Sequence, residues 1–312
     1  MLIGLVGTSH SPLMTVNDPA PDVRAAVDRE FEQARAFVAS SAPDLVVVFT
    51  PDHYNGVFYD MMPPFCIGQA AQAVGDYGTE AGPLDVPADT SRALAQHVLD
   101  AEIDVAISER MHVDHGCAQP LGLLFGSIAA VPTIPVFINA VATPIGPAAR
   151  ARRLGSAIGT YLDQLDERVL LVASGGLSHD PPVPELQGAA PEVAERLIAG
   201  RNPTTQERAA RERRVRQTGL DLAAGTATIA PLNPDWDDQF LDLLAEQRLG
   251  EIDGWSNQWC VEQAGHSSHE VRTWIAAYAA LAVHGPYEMR SRFYRAIPEW
   301  IAGFALTTAV PR

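Results

Sequence analysis

The sequence predicts an α/β protein, with a mostly parallel central sheet flanked by helices and a largely helical C-terminal half. Two observations carry this. Short aliphatic and β-branched runs without polar alternation recur up to residue 173, as in strands buried on both faces. Longer stretches of helical periodicity lie between them, and strand–helix alternation builds parallel sheets.

The strand runs are residues 2–6 (LIGLV), 44–50 (with LVVVFT), 103–107 (IDVAI), 134–140 (IPVFINA) and 169–173 (VLLVA). Each is short, apolar and bounded by Gly, Pro, Asp or Ser, the punctuation of buried strands. Helical patterns fill 21–40, 88–100, 119–129 and 147–165. Residues 189–283 read as mainly helical, with breaks near Pro203, between Pro231 and Pro234, and at Gly265. Residues 286–312 carry aromatics and prolines, as in RFYRAIPEW. No linker, repeat or low-complexity tract divides the chain, so residues 1–312 are expected to form a single catalytic domain.

Composition narrows the function. A chain of 312 residues that is 47% hydrophobic can bury a large core. Its net charge of −16 repels phosphate backbones, so no nucleic-acid partner is expected. All 22 basic residues are Arg. Without lysine there is no Schiff base and no phosphate-loop lysine, which excludes pyridoxal-phosphate enzymes and most nucleotide triphosphatases. Cys66, Cys117 and Cys260 are scattered and odd in number, which reads as reduced, partly buried thiols rather than a disulfide framework or thiolate zinc site. LIGLVG carries no basic leader, and the later apolar stretches are short or broken by Pro. No membrane association is expected, and a cytoplasmic location is. The locally basic segment ERAARERRVRQ reads as a solvated helix face or subunit contact rather than an anion site.

The nine histidines point to chemistry. His10 follows LIGLVGTS, His53 follows LVVVFTPD, His179 follows VLLVASGGLS, and His115 lies beyond IDVAI in MHVDHG. Parallel strands bring such turns to one sheet edge, where open α/β sheets bind ligands. One histidine after a strand is usually a turn or core residue, but four equivalent ones suggest a site. His97 and His284 read as structural. Two histidines and a carboxylate with open positions form the facial triad of non-haem Fe(II) oxygenases. Asp52, Asp114, Asp180 and Glu270 are the candidate carboxylates. Asp52 and Asp114 directly precede histidines and suit supporting roles. Glu270 has a competing role, because Ser267-Ser268-His269-Glu270 fits a capping box. The near misses are GTSHS, which lacks the last Gly of a nucleophile elbow, and GLVG and SGGLS, which do not make a dinucleotide fingerprint.

The chain resembles the class III extradiol ring-cleaving dioxygenases with the fold of the protocatechuate 4,5-dioxygenase β-subunit. The resemblance rests on SHSPL (9–13), PDHYNGVFYDMMPPFCIG (51–68), VDHGCAQPL (113–121), SGGLSHDPPVPEL (174–186), NPDWDDQF (233–240), SSHEVRTWIAA (267–277) and RFYRAIPEWIAGF (292–304), in order along almost the whole chain. It implies Fe(II) held by His10, His53 and Glu270, with His179 as base and His115 as proton donor. It further implies a catechol substrate bearing a propionate side chain, 3-(2,3-dihydroxyphenyl)propionate or the related 2,3-dihydroxycinnamate, with dioxygen as co-substrate. The product would be a 2-hydroxy-6-oxo-nona-2,4-dienedioate, and the protein a homo-oligomer. An arginine is expected on the substrate carboxylate, without a choice among the 22. The competing readings are a zinc-dependent hydrolase, since two His and a Glu also suit zinc, and a metal-free scaffold on the same fold.

Overall fold

A computed structural model describes residues 1–312. In chain order the elements are β1 (Leu2–Thr8), α1 (Pro21–Ser41), β2 (Leu45–Thr50), β3 (Phe65–Gly68), β4 (Ala71–Val74), β5 (Ala81–Pro83), α2 (Ala88–Asp100), β6 (Ala106–Ser108), β7 (Met111–Val113), α3 (His115–Phe125), β8 (Thr133–Ile138), α4 (Ala148–Leu162) and β9 (Val169–Ser174). Then come α5 (Pro191–Ala199), α6 (Thr205–Ala223), α7 (Pro234–Ala245), α8 (Asn257–Ala264), α9 (Val271–Leu281), β10 (Tyr287–Ile297) and β11 (Ala302–Pro311). No helix is long and apolar enough to cross a membrane.

The main sheet runs β10-β11-β1-β9-β2-β8-β3-β6, and a small second sheet runs β5-β4-β7. Its centre, β1-β9-β2-β8, is parallel throughout. Strands β2, β8 and β9 are buried at every position, which is why they read as unbroken apolar runs. Alternate residues serve the two faces. Val46, Val48 and Val172 pack with Phe31 and Val38 of α1 and Leu121 of α3. Val47, Phe49 and Leu171 pack with Leu154 and Ile158 of α4 and Trp274 and Tyr278 of α9.

Helix α9 is buried along its whole length. It approaches α4 at Gly155 and Gly159, where a Cβ would lie 2.0 Å from the Ala276 carbonyl oxygen and 2.3 Å from that of Ala280. This close crossing fixes the start of α9, and with it Glu270.

Three sequence expectations shift. IDVAI forms a strand only over residues 106–108, at the sheet edge with a single partner. The helix expected from 119 starts at His115, because Asp114 caps it through the Gly116 amide despite Gly116 and Pro120. Residues 286–312, for which no strand was expected, form the antiparallel β10–β11 pair, and β11 lies beside β1. All three cysteines are free and buried.

Candidate active site

The C-terminal ends of β1, β2 and β9 deliver His10, His53 and His179 to one cavity, as the strand pattern predicts. His115 reaches it differently, as the first residue of α3 after β7 of the small sheet. Glu270 comes from a 3-10 turn leading into α9. The imidazoles of His53 and His115 stack at 4.5 Å, and His10 stands edge-on to both at 5.3 and 5.4 Å.

The capping-box role for Glu270 is not realised. Its carboxylate makes no cap bond to α9. It accepts from the Gly176 amide at 2.8 Å and faces Nε2 of His53 and Nε2 of His179 at 3.0 Å each, with His10 Nε2 at 3.6 Å. Distance alone does not rank His53 above His179 as its partner. Gly175 and Gly176 permit this approach, since a Cβ on Gly175 would lie 2.9 Å from the Glu270 Cβ and one on Gly176 2.8 Å from the His179 ring.

Hydrogen bonds on the far side of each ring set its tautomer. Ser174 Oγ donates its one proton to the Gly116 carbonyl, so it can only accept from His10 Nδ1, at 2.9 Å. That carbonyl is free because its helical partner would be the N–H of Pro120, which does not exist. His53 Nδ1 donates to Asp114 Oδ2 at 2.9 Å, and His179 Nδ1 to the Leu177 carbonyl at 2.9 Å. Nε2 of all three rings therefore points inward; burial opposes protonation, but Asp114 and Glu270 raise the pKa of His53 well above its ordinary value, and Glu270 raises that of His179. His115 Nδ1 lies 2.5 Å from Asp76 Oδ2, and the His115 amide donates to Asp76 Oδ1 at 2.8 Å.

The centre is a set of electron-pair donors facing one another: two or three imidazole nitrogens and a carboxylate. Burial lowers the pKa of His10 to about 3, so it stays neutral. Burial opposes ionisation of Glu270, but the positive charge of neighbouring histidine, His179 first, and hydrogen bonds from His179 and His53 outweigh it and hold its pKa well below the usual carboxylate range. A shared cation resolves this arrangement. Ligands about 2.1 Å from a metal at adjacent octahedral positions lie about 3 Å apart, which matches 3.0 Å and is close to 3.6 Å. The donor set fits a divalent transition metal. His10, His53 and His115 also bring ring nitrogens within 4.8 Å of one another, but His115 Nδ1 is committed to Asp76.

The other candidates fall outside the centre. Asp52 accepts from the amides of Asn55, Gly56 and Val57 and so shapes the turn that holds His53. Asp114 accepts from the amides of His53 and Gly116, His53 Nδ1 and the Asn55 side chain, a supporting role that its position before His115 suggests. Asp180 turns away to His266 and the Ala230 amide. His97 stacks near Tyr161, and His284 pairs with Asp163. Sequence reasoning missed Ser174 and Asp76. Ser174 at least carries a signal, as a polar residue ending a buried strand, whereas Asp76 in DYG carries none.

The cavity holds about 230 Å³ and is walled by Tyr54, Tyr77, Trp300 and the proline-rich segment Pro181-Pro182-Val183-Pro184. Helices α5 and α6 close one side with Arg196, Arg211 and Arg214. The basic segment expected to be a solvated face or subunit contact thus turns two of its arginines to the cavity. Of the aromatic-rich stretch after His53, Tyr54 lines the cavity, Phe58 is buried in a small cluster, and Met61 is exposed.

The chain is similar to known proteins over its whole length. Residues 4–305 match the family described as the catalytic LigB subunit of aromatic ring-opening dioxygenase. A protein of Rhodococcus sp is 65% identical over 99% of both chains, and one of Rhodococcus jostii (strain RHA1) is 63% identical over the same shares. One of Cupriavidus pinatubonensis is 55% identical over 100% of this chain and 99% of its own. All three are named 2,3-dihydroxyphenylpropionate/2,3-dihydroxicinnamic acid 1,2-dioxygenase. A crystal structure of an uncharacterized protein from Escherichia coli K12 shares the fold, with a TM-score of 0.51 at 14% identity over 99% of each chain. A buried cluster of inward-facing imidazoles and a carboxylate, in a chain matched from end to end by ring-opening enzymes, leads to one conclusion: the protein belongs to the LigB family and is an aromatic ring-opening dioxygenase.

Proposed function

We propose that the protein cleaves 3-(2,3-dihydroxyphenyl)propionate, and the related 2,3-dihydroxycinnamate, by extradiol addition of dioxygen at Fe(II) held by His10, His53 and Glu270. The carrying observation is the convergence of His10 Nε2, His53 Nε2 and the Glu270 carboxylate, with both ring tautomers set from behind by Ser174 and Asp114. The substrate assignment rests on the relatives' names. Residues 1–312 are read as one catalytic domain, because the sheet interleaves strands from both ends of the chain. The homo-oligomer expectation rests on family resemblance alone.

When bound, Fe(II) acidifies the catechol hydroxyls and supplies the one-electron chemistry that dioxygen requires. This chain's residues do the rest. His179 presents Nε2 to the cavity while its Nδ1–H is held by Leu177, so that with Glu270 committed to a metal this nitrogen is free to take the second catechol proton. Such acid–base help is typically worth about 10²–10⁴-fold. His115, held by Asp76 across the stack from His53, is positioned to return a proton to the departing oxygen as the ring opens. The segment from Pro181 to Pro184 and Trp300 give the cavity an apolar lining that disfavours water beside the reacting groups.

The test is oxygen uptake with simultaneous absorbance, on protein loaded anaerobically with Fe(II). One equivalent of oxygen per substrate and a yellow dienoate product are expected, with none from zinc-loaded protein. No uptake across a panel of catechols by iron-loaded protein would refute the proposal and favour the hydrolase reading.

A further inference from the structure

The part of the cavity wall supplied by α5 and α6 is cationic, and two of its three arginines are unpaired. On α6, Glu207, Ala210, Arg211, Arg214 and Val215 line the cavity. They sit at i, i+3, i+4, i+7 and i+8, one helical face. Arg196 faces them from α5.

A guanidinium in a protein normally finds a carboxylate. Here the only acidic group on this wall, Glu207, is occupied elsewhere. Its Oε2 accepts from the Thr204 amide and hydroxyl at 2.7 Å each, closing the capping box of α6. Arg211 donates to Asn55 Oδ1, so it braces the His53 turn. The guanidinium groups of Arg196 and Arg214 have no hydrogen-bond or ion-pair partner, although each lines the cavity. Burial first, then Arg211 and Arg214, push the Arg196 pKa below its ordinary value, and Glu207 offsets this only in part. Three like charges are held together with Glu207 as the one nearby acidic group, and it makes no ion pair with any of them.

The chain as a whole carries −16. A substrate with a carboxylate would be repelled from such a surface unless the entrance reversed the local potential. The forked guanidinium matches a carboxylate in two parallel hydrogen bonds.

We propose that Arg196 and Arg214 are the receptor for the substrate's side-chain carboxylate and so determine specificity for three-carbon acid side chains over neutral ones. The inference deepens the proposed function and rests on it. Arg211, through Asn55, is a positioning residue between this wall and the His53 turn.

The experiment compares kcat/KM of the full-length, Fe(II)-loaded protein for 3-(2,3-dihydroxyphenyl)propionate and for 3-propylcatechol, which has the same chain length without the charge. In Arg196→Gln the ratio of the two should fall by about 10–100-fold, the usual cost of a hydrogen bond to a charged group, mostly through KM. Arg214→Gln should shift it in the same direction. Arg196→Lys, which keeps the charge but loses the fork, should fall between. Calorimetric affinity for 3-phenylpropionate, which bears the carboxylate but no hydroxyls, should weaken in parallel. A ratio within twofold of the unmodified protein in both Gln variants would overturn the carboxylate assignment while leaving ring cleavage intact. Cleavage of neither catechol by the unmodified protein would overturn both the dioxygenase reading and this one.

Discussion

At the scale of single residues, the site depends on one missing proton. Pro120 cannot donate to Gly116, so the Gly116 carbonyl takes the Ser174 hydroxyl, and Ser174 in turn holds His10 Nδ1. Three residues distant in sequence thus aim one lone pair. Ser174→Ala removes the acceptor and frees the ring to flip, at little cost to the fold because a small side chain replaces a small one. Loss of such a supporting partner typically weakens metal binding by about 10–100-fold. Chelator competition with Fe(II) should show that loss, and an affinity within twofold of the unmodified protein would mean that Ser174 does not orient His10. The histidines themselves were legible in the sequence, because each polar residue after an unbroken apolar run stands out. Their partners were not, because a hydrogen bond between residues 10, 116 and 174 depends on how strands pack and leaves no local pattern.

At the scale of elements, the loop after β9 is clamped by α7 and β10. Asp237 accepts from the Ser178 amide at 2.6 Å, the Ser178 hydroxyl at 2.7 Å and Tyr294 at 2.7 Å, and is fully buried. Burial raises its pKa to about 6, against the opposing effect of those bonds. A raised acid pKa means that the folded state holds a proton the unfolded chain has already released. This residue's contribution is therefore most favourable below about pH 4 and is lost as pH rises to about 6. A rise from the ordinary carboxylate value to about 6 corresponds to up to about 3 kcal/mol. Asp237→Asn removes the titration and puts an amide donor where Oδ2 accepts from the Ser178 and Tyr294 hydroxyls, a loss that is the same at every pH. Urea unfolding of both proteins between pH 4 and 7 should show the variant gaining on the parent as pH rises. A constant difference across that range would refute the argument. NPDWDDQF carries the family resemblance but no sign of this clamp, since its partner Tyr294 lies in a strand that the sequence concealed. In β10, polar residues alternate with half-buried ones, and in β11, AGFALTTAV reads equally well as helix. The parallel core was legible because full burial demands an unbroken apolar run, whereas the antiparallel flank has no such demand.

At the scale of the whole molecule, the centre joins parts of the chain that have no other reason to meet. His10 comes from the first strand, His53 from the second, and Glu270 from the start of α9, while β11 holds the His10 turn through the Ser9 amide bond to Ala305 and the loop after β9 through Gly303. Without a cation, the Glu270 carboxylate is held by its contacts with His53 and His179, and a divalent ion that replaces the Nε2 protons turns these atoms, with His10 Nε2 at 3.6 Å, into ligands. Such an ion binds the assembled site and not the unfolded chain. At a hundred times its dissociation constant it adds about 2.7 kcal/mol of stability. For a chain of this size that is a rise of several degrees in Tm. Thermal melts of chelator-treated protein, with and without anaerobic Fe(II), measure it directly. Glu270→Gln supplies the control, because it keeps the shape of the side chain and removes the charge that neutralises the metal. The rise should be large in the parent and mostly absent in the variant. Equal rises in the two proteins would place the stabilising ion elsewhere, and no rise in the parent would mean that these side chains do not hold a metal.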